Sequence, residues 1–108
     1  MQIFAAFGRF TARLHEQGML HADYSMGNIL FEPTKQGAEF QLVDLNRMRF
    51  GQRINCRRGC RNFERIDTDH EALSTIAQAY AQARGYNVEE CVRLVLKMRW
   101  RKHKNKHN

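Results

Sequence analysis

The first seventeen residues place apolar side chains at intervals of three and four, with the charged side chains mostly at other positions. This spacing is typical of an amphipathic helix and predicts one over residues 2–17. Gly18 follows at the position where a left-handed residue commonly ends a helix. The apolar face is expected to contribute to a core. Its residues are Ile3, Phe4, Phe7, Phe10 and Leu14.

Two short apolar runs further along the chain predict a β-hairpin. Ile29–Glu32 and Glu39–Asp44 have strand composition, and residues 33–38 between them have turn composition. In an antiparallel hairpin, the first strand begins where the second one ends. Asn28 and Asp44 are therefore expected to be neighbours in space.

The second half of the chain passes from an irregular segment to two helical patterns. Residues 45–65 show no clear period. Thr68 begins a capping signal, and the helical stripe that follows it ends near Gly85. Asn87 begins a last helix, which is expected to end near Trp100.

These elements predict an α+β fold that is mainly helical and carries one small hairpin. A chain of 108 residues has the size of one domain, expected over residues 1–102 and followed by a basic disordered tail over residues 103–108. With 43% hydrophobic and 27% charged residues, the composition is globular. No apolar run approaches the roughly 20 residues of a membrane span, and the first residues do not resemble a signal peptide. We therefore expect a cytoplasmic protein.

The net charge of +7 is concentrated in two blocks. Residues 47–65 contain seven arginines and one glutamate, and residues 97–108 contain six basic residues and no acidic one. The first block fits a solvated segment, a docking site for phosphorylated sugars or a nucleic-acid patch. The second block fits either a solvated helix end or contact with the anionic inner face of a membrane.

Three cysteines do not predict a metal site by their spacing. Cys56 and Cys60 lie four residues apart without a histidine at zinc-finger distance, and Cys91 is remote in sequence. Three reduced thiols are expected, because disulfides are rare in cytosolic proteins. His15 and His70 are expected on helix surfaces rather than as ligands.

The segment His21–Asn28 carries the strongest chemical signal. A histidine is followed by Asp23 two residues later and by Asn28 five residues beyond that, directly before the first strand. A chance match to three such fixed positions has a frequency on the order of 1% in a chain of this length. A base and two oxygen ligands in this order, with Asp44 as the second ligand, are typical of kinases.

Residues 11–50 resemble the core of the protein-kinase-like superfamily. The stretches Leu14–Asp23 and Leu42–Arg47 are most similar to the bacterial lipopolysaccharide kinases of the Kdo/WaaP family. This resemblance implies the C-terminal lobe of a kinase. It also implies phosphorylation of a sugar hydroxyl of lipopolysaccharide, with ATP and Mg²⁺ as cofactors.

The resemblance implies a role for each matching residue. Asp23 matches the catalytic base, and His21 matches the loop histidine of the catalytic group, which ties the loop to the lobe. Asn28 and Asp44 match the residues that hold Mg²⁺ and, through it, the nucleotide. An arginine cluster beside the base would suit an anionic acceptor. The candidate acceptor contacts are Arg47, Arg49, Arg57 and Arg58.

Two departures separate the chain from the regulated protein kinases. Ala22 stands where many of them have an arginine that binds an activation-loop phosphate, so activation by phosphorylation of residues 45–65 is not expected. Asn46 stands where the metal-binding triplet usually has glycine, and asparagine tolerates a left-handed backbone better than most residues.

A glycine-rich phosphate loop and an upstream strand lysine are missing from these residues. We therefore expect a truncated lobe that is weak or inactive alone. Its missing half would be an N-terminal lobe supplied in trans. The alternative partner is a second copy of the chain, which would associate through the Phe4, Phe7 and Phe10 face. The alternatives are a non-catalytic kinase-like binding module and a basic nucleic-acid-binding protein. The latter is not favoured, because no nucleic-acid-binding motif accompanies the charge.

Overall fold

The computed structural model describes residues 2–106, with the side chains of residues 3–99. Its helices are α1 (Gln2–Glu16), α2 (Cys56–Arg61), α3 (His70–Arg84) and α4 (Val88–Lys106). Its strands are β1 (Leu20–His21), β2 (Ile29–Thr34), β3 (Gly37–Leu42) and β4 (Met48–Arg49). The predicted α+β class with mainly helical content is confirmed.

Helix α1 forms as its apolar period predicts, and it packs against α3 and β3. It ends at Glu16, one residue before the predicted end. Gly18 then adopts a left-handed conformation with φ of 78°, which glycine reaches without a steric cost. This turn leads the chain directly into β1.

The predicted hairpin is confirmed, although its first strand is longer than expected and its second strand begins and ends two residues earlier than expected. Strands β2 and β3 pair antiparallel from Ile29 opposite Leu42 to Thr34 opposite Gly37. The turn is therefore confined to residues 35–36, because residues 33, 34, 37 and 38 join the ladder rather than a loop. The Val43 amide donates to the Asn28 carbonyl at 2.9 Å and extends the pairing by one step.

Residues 45–65 are more ordered than the sequence predicted. Strand β4 pairs with β1, with Leu20 opposite Arg49 and His21 opposite Met48, and α2 follows as a short helix. Both elements were missed because a two-residue strand and a six-residue helix are shorter than the window in which a period can be recognised. The β1–β4 pair returns the chain after Asp44 to the His21 loop.

The two C-terminal helices begin close to their predicted positions, and α3 also ends where predicted. Asp69, not Thr68, caps α3, because its carboxylate accepts from the Ala72 amide at 2.8 Å. Gly85 ends α3 as predicted. Helix α4 continues to Lys106, beyond the predicted end. The division at residue 102 stays a prediction, and the last two residues of the predicted tail, 107 and 108, lie outside the described residues.

The core is built around aromatic side chains from four parts of the chain. Phe7 stacks on Tyr24 with ring centroids 5.6 Å apart and meets Phe63 edge-on at 6.1 Å. Phe63 in turn meets Tyr80 edge-on at 5.2 Å. Aromatic side chains bury about 150–250 Å² each, so this cluster joins α1, the His21 loop and α3. Phe7 is thus a core residue, and association through the face that it shares with Phe4 and Phe10 stays a prediction.

A separate finding concerns membranes. Among the helices described between residues 2 and 106, none combines the length and the apolar character that a membrane span needs.

Candidate active site

Asn28 closes the loop that begins at Asp23. A short 3₁₀ turn over Met26–Asn28 brings the asparagine back towards the start of the loop. Its Nδ2 donates to the Asp23 carbonyl oxygen at 2.9 Å and to Asp23 Oδ2 at 3.1 Å. Because both hydrogen bonds use the amide nitrogen, Oδ1 is the atom of Asn28 that can accept a metal ion.

His21 is buried and joins the loop to the end of the hairpin. Its Nδ1 accepts from the Asp23 amide at 3.1 Å, so the proton of a neutral ring lies on Nε2. Nε2 then donates to the Val43 carbonyl at 3.0 Å. With an exposed fraction of 1%, His21 positions Asp23 and the residue before Asp44. This is the structural role that the resemblance implied.

Asp44 occupies a strained backbone conformation at the end of the hairpin. Within residues 2–106 it is the only residue other than glycine with positive φ, at 57°. Such a conformation costs of order 1–3 kcal/mol and is often found at functional sites. The turn over Leu45–Arg47 follows directly, and the Ala22 amide donates to the Arg47 carbonyl at 2.8 Å.

The backbones of Asn28 and Asp44 lie close together at the open end of the hairpin. The hydrogen bond from Val43 to Asn28 places the two backbones side by side. The Asp44 side chain is 41% exposed, and its nearest cation is Arg47 Nε at 3.9 Å. A carboxylate and an amide oxygen are hard donors of the kind that Mg²⁺ prefers. The residues present therefore fit a magnesium ion.

Tyr24 anchors the loop in the core. Its side chain is 2% exposed and stacks on Phe7. The Thr11 hydroxyl donates to the Phe7 carbonyl, so the Tyr24 hydroxyl is the donor in its 2.6 Å hydrogen bond to Thr11. Burial raises the pKa of Tyr24 far above its usual value. The residue next to Asp23 is thus fixed by both packing and a hydrogen bond.

A buried polar chain supports the loop from the side of α2 and α3, and the sequence did not reveal it. Asn62 donates to the His21 carbonyl at 3.1 Å and accepts from His15 Nε2 at 2.9 Å. His15 Nδ1 accepts from the Tyr80 hydroxyl at 2.7 Å, and this hydroxyl accepts from Arg84 at 3.0 Å. Each group in this series of hydrogen bonds therefore donates to the next. The series begins at Arg84 and ends at the His21 carbonyl in the loop.

The expectation that His15 lies on a helix surface is wrong. Its side chain is 3% exposed, because Asn62 and Tyr80 cover the polar end of α1. Burial lowers the pKa of His15 to about 4; the hydrogen bond with Asn62 opposes this shift, and the charges of Arg84 and Arg58 add to it. His70, in contrast, is exposed as expected.

Gly59 permits this packing. A Cβ atom at position 59 would overlap with the Tyr80 hydroxyl, so α2 approaches α3 more closely than any other residue would allow. The close approach brings Asn62, which follows α2, within reach of His15.

Asp23 also carries an ion pair that sequence reasoning missed. Its Oδ1 lies 3.1 Å from the Arg65 guanidinium, a residue 42 positions later. The two side chains are 34% and 53% exposed, respectively. An exposed pair of this kind contributes about 0–1 kcal/mol to stability. The pair matters instead because it places the positive charge of Arg65 beside the Asp23 carboxylate.

Arg65 belongs to a polar cleft of about 210 Å³ beside Asp23. Of the four candidate acceptor contacts, Arg58 lines this cleft, whereas Arg47, Arg49 and Arg57 are not among its lining residues. Arg58, Arg61 and Arg65 line the cleft together. Their spacing of three and four positions in the sequence could have indicated that they lie on the same side of the chain. The cleft is lined by Leu20, Ala22, Tyr24, Arg58, Arg61, Asn62, Glu64 and Arg65.

Residues 1–86 match the model of the lipopolysaccharide kinase (Kdo/WaaP) family. The match covers most of the 108 residues and includes every site residue described above, so the chain belongs to this family. A kinase family implies in general a nucleoside triphosphate and a divalent metal ion. No curated protein and no solved structure matches the chain.

Proposed function

We propose that the chain provides the base and the metal ligands for Mg²⁺-dependent phosphoryl transfer from ATP to a hydroxyl of an anionic, lipopolysaccharide-type sugar. In this proposal the described elements correspond to the C-terminal lobe of a protein-kinase-like enzyme. One observation carries it. Asn28 bonds Asp23, and His21 ties both to the residue before Asp44, so a base and two oxygen ligands form one unit.

Asp23 is proposed as the base. Its two carboxylate oxygens accept from Asn28 and Arg65, which fixes the orientation of the group. In phosphoryl transfer a base mainly aligns the attacking hydroxyl and receives its proton. Its surroundings support this role, because an exposed fraction of 34% leaves the carboxylate open to an acceptor.

Asn28 and Asp44 are proposed to hold the magnesium ion. The free amide oxygen of Asn28 and the partly exposed carboxylate of Asp44 are the two atoms that would bind it. When bound, the ion neutralises the negative charge of the phosphate groups. The weak contact between Asp44 and Arg47, at 3.9 Å, leaves the carboxylate available for such a ligand.

The polar cleft is proposed as the site of the acceptor sugar. Arg58, Arg61 and Arg65 all line a cleft that adjoins Asp23. Guanidinium groups bind phosphate and carboxylate with paired hydrogen bonds. An acceptor with an anionic substituent would therefore place a nearby hydroxyl beside the base.

The proposal is tested by phosphate transfer and nucleotide binding in the same preparation. An Asp23→Asn variant should bind Mg-ATP as the natural chain does, because the ligands at positions 28 and 44 remain. Any transfer to a lipopolysaccharide-type sugar should fall by about 10²–10⁴-fold, the usual contribution of a general base. Measurable transfer at the same rate in the two proteins would refute the assignment of Asp23, and no transfer by the natural chain would refute the proposed activity.

A further inference from the structure

Three cysteine side chains meet between α2 and α4. Cys56 and Cys60 lie one helical turn apart on α2, and Cys91 comes from α4. Their three Sγ atoms all lie within 4.8 Å of one another, and the pair Cys56 and Cys91 is 3.4 Å apart. Cys60 and Cys91 are fully buried, and Cys56 is half-buried. The fold thus assembles a cluster that the sequence spacing did not indicate.

The separation of the sulfur atoms suits a shared metal ion. Sulfur atoms bound to one ion at about 2.3 Å are about 3.8–4.0 Å apart. The Cys56–Cys91 separation of 3.4 Å is slightly shorter than this value, and no separation exceeds 4.8 Å, so small side-chain movements would complete the geometry. A disulfide would instead bring two sulfur atoms to about 2.05 Å and would leave the third one without a role.

The chemistry of the donors selects the class of ion. Thiolate sulfur is soft and favours Cu⁺ and Zn²⁺ over Mg²⁺ or Ca²⁺. Three thiolates with either ion carry a net negative charge.

We propose that Cys56, Cys60 and Cys91 form a binding site for one thiophilic metal ion. Three sulfur–metal bonds form as the three S–H protons pass to solvent. Among the described residues, no other histidine, cysteine, aspartate or glutamate belongs to this group. Cu⁺ accepts three sulfur ligands, whereas Zn²⁺ would take a solvent molecule as its fourth ligand.

The ion would join the segment beside the active site to the last helix. Helix α2 carries Arg58 and is followed by Asn62, which bonds the His21 carbonyl. Helix α4 begins at Val88, beyond the residues that match the family. The proposal rests on the positions of the three cysteines and not on the proposed phosphoryl transfer, so either can fail without the other.

The test is a Cd²⁺ titration of the full chain, kept reduced with a phosphine. Bonds from thiolate to Cd²⁺ give a charge-transfer absorption that histidine and carboxylate ligands do not give. We expect the absorption to saturate at one ion per chain. Loss of a group that hydrogen-bonds a metal ligand commonly costs about 10–100-fold in metal affinity. Loss of a ligand itself, in Cys56→Ser, should therefore cost at least about 100-fold.

Controls separate the cysteine site from other ligands and from misfolding. The double variant His103→Gln and His107→Gln removes two histidines of the basic block and should keep the absorption. Cys56 is half-buried, so Cys56→Ser should fold, as circular dichroism can show. Cd²⁺ should raise the unfolding temperature of the natural chain and of the histidine variant, but not that of Cys56→Ser.

Competition identifies the ion. Cu⁺ or Zn²⁺ added in excess should remove the Cd²⁺ absorption, and the ion that does so at lower concentration is the better occupant. The proposal is overturned if the natural chain gives no thiolate absorption, if Cys56→Ser titrates like the natural chain, or if neither ion displaces Cd²⁺.

Discussion

Asn62 donates a hydrogen bond to the backbone carbonyl of His21 across 41 residues, with a donor–acceptor distance of 3.1 Å. The same side chain accepts from His15 Nε2 at 2.9 Å. One amide thus satisfies a buried histidine and holds the loop that carries Asp23. Buried polar groups are costly when unpaired, so the geometry of the loop is coupled to the stability of the fold.

Replacing Asn62 should therefore destabilise the protein. Asn62→Ala leaves His15 Nε2 and the His21 carbonyl without their partner, and an unsatisfied buried group costs about 1–3 kcal/mol. Urea denaturation of the variant and of the natural chain should show a loss of this size in the free energy of unfolding. The matched control is Asn46→Ala at an exposed position, where a change within about 0.5 kcal/mol is expected. Equal effects of the two substitutions would contradict the bridging role of Asn62.

The buried His15 predicts a specific pH dependence. Its pKa is lowered from 6.5 to about 4, so between these values the unfolded chain binds a proton that the folded chain does not. The free energy of unfolding should fall as the pH decreases from about 6.5 to 4, by on the order of 3 kcal/mol from this group. Above pH 6.5 the group is neutral in both states and contributes no pH dependence.

The measurement compares the natural chain with His15→Gln, which keeps a polar side chain but cannot titrate. Urea denaturation at pH 7 and pH 4.5 gives the free energy of unfolding of each protein. The natural chain should lose more stability than His15→Gln over this interval. If both lose the same amount, His15 is not the titrating group.

Arg65 is expected to affect acceptor binding more than stability. Its ion pair with Asp23 is partly exposed, so Arg65→Ala should change the free energy of unfolding by less than about 1 kcal/mol. Because Arg65 lines the cleft, the variant should bind a phosphorylated hexose about tenfold more weakly, as calorimetry would measure. Arg57→Ala is the control, since Arg57 is exposed on α2 and does not line the cleft. Equal losses of affinity in the two variants would contradict a specific role of Arg65, because the loss would then follow from the lower net charge alone.

The sequence predicted those parts of the fold and site that depend on local pattern. The α1 period, the hairpin and the Asn87 cap of α4 are local features, and the hairpin alone predicted that the backbones of Asn28 and Asp44 lie close together. The contributions of Asn62 and Arg65 could not be predicted, because each reaches the loop from more than 40 residues away. The burial of His15 depends on its long-range contacts with Asn62 and Tyr80, and no periodicity within α1 indicates it.

The most direct test of the central claim is Mg-ATP binding measured by isothermal titration calorimetry. The natural chain should bind ATP at least tenfold more tightly with Mg²⁺ than without it, and Asp44→Asn should remove this difference. Asp67→Asn is the matched control, because Asp67 is 95% exposed and lies outside the site. No binding at millimolar Mg-ATP, or an undiminished magnesium dependence in Asp44→Asn, would contradict the account.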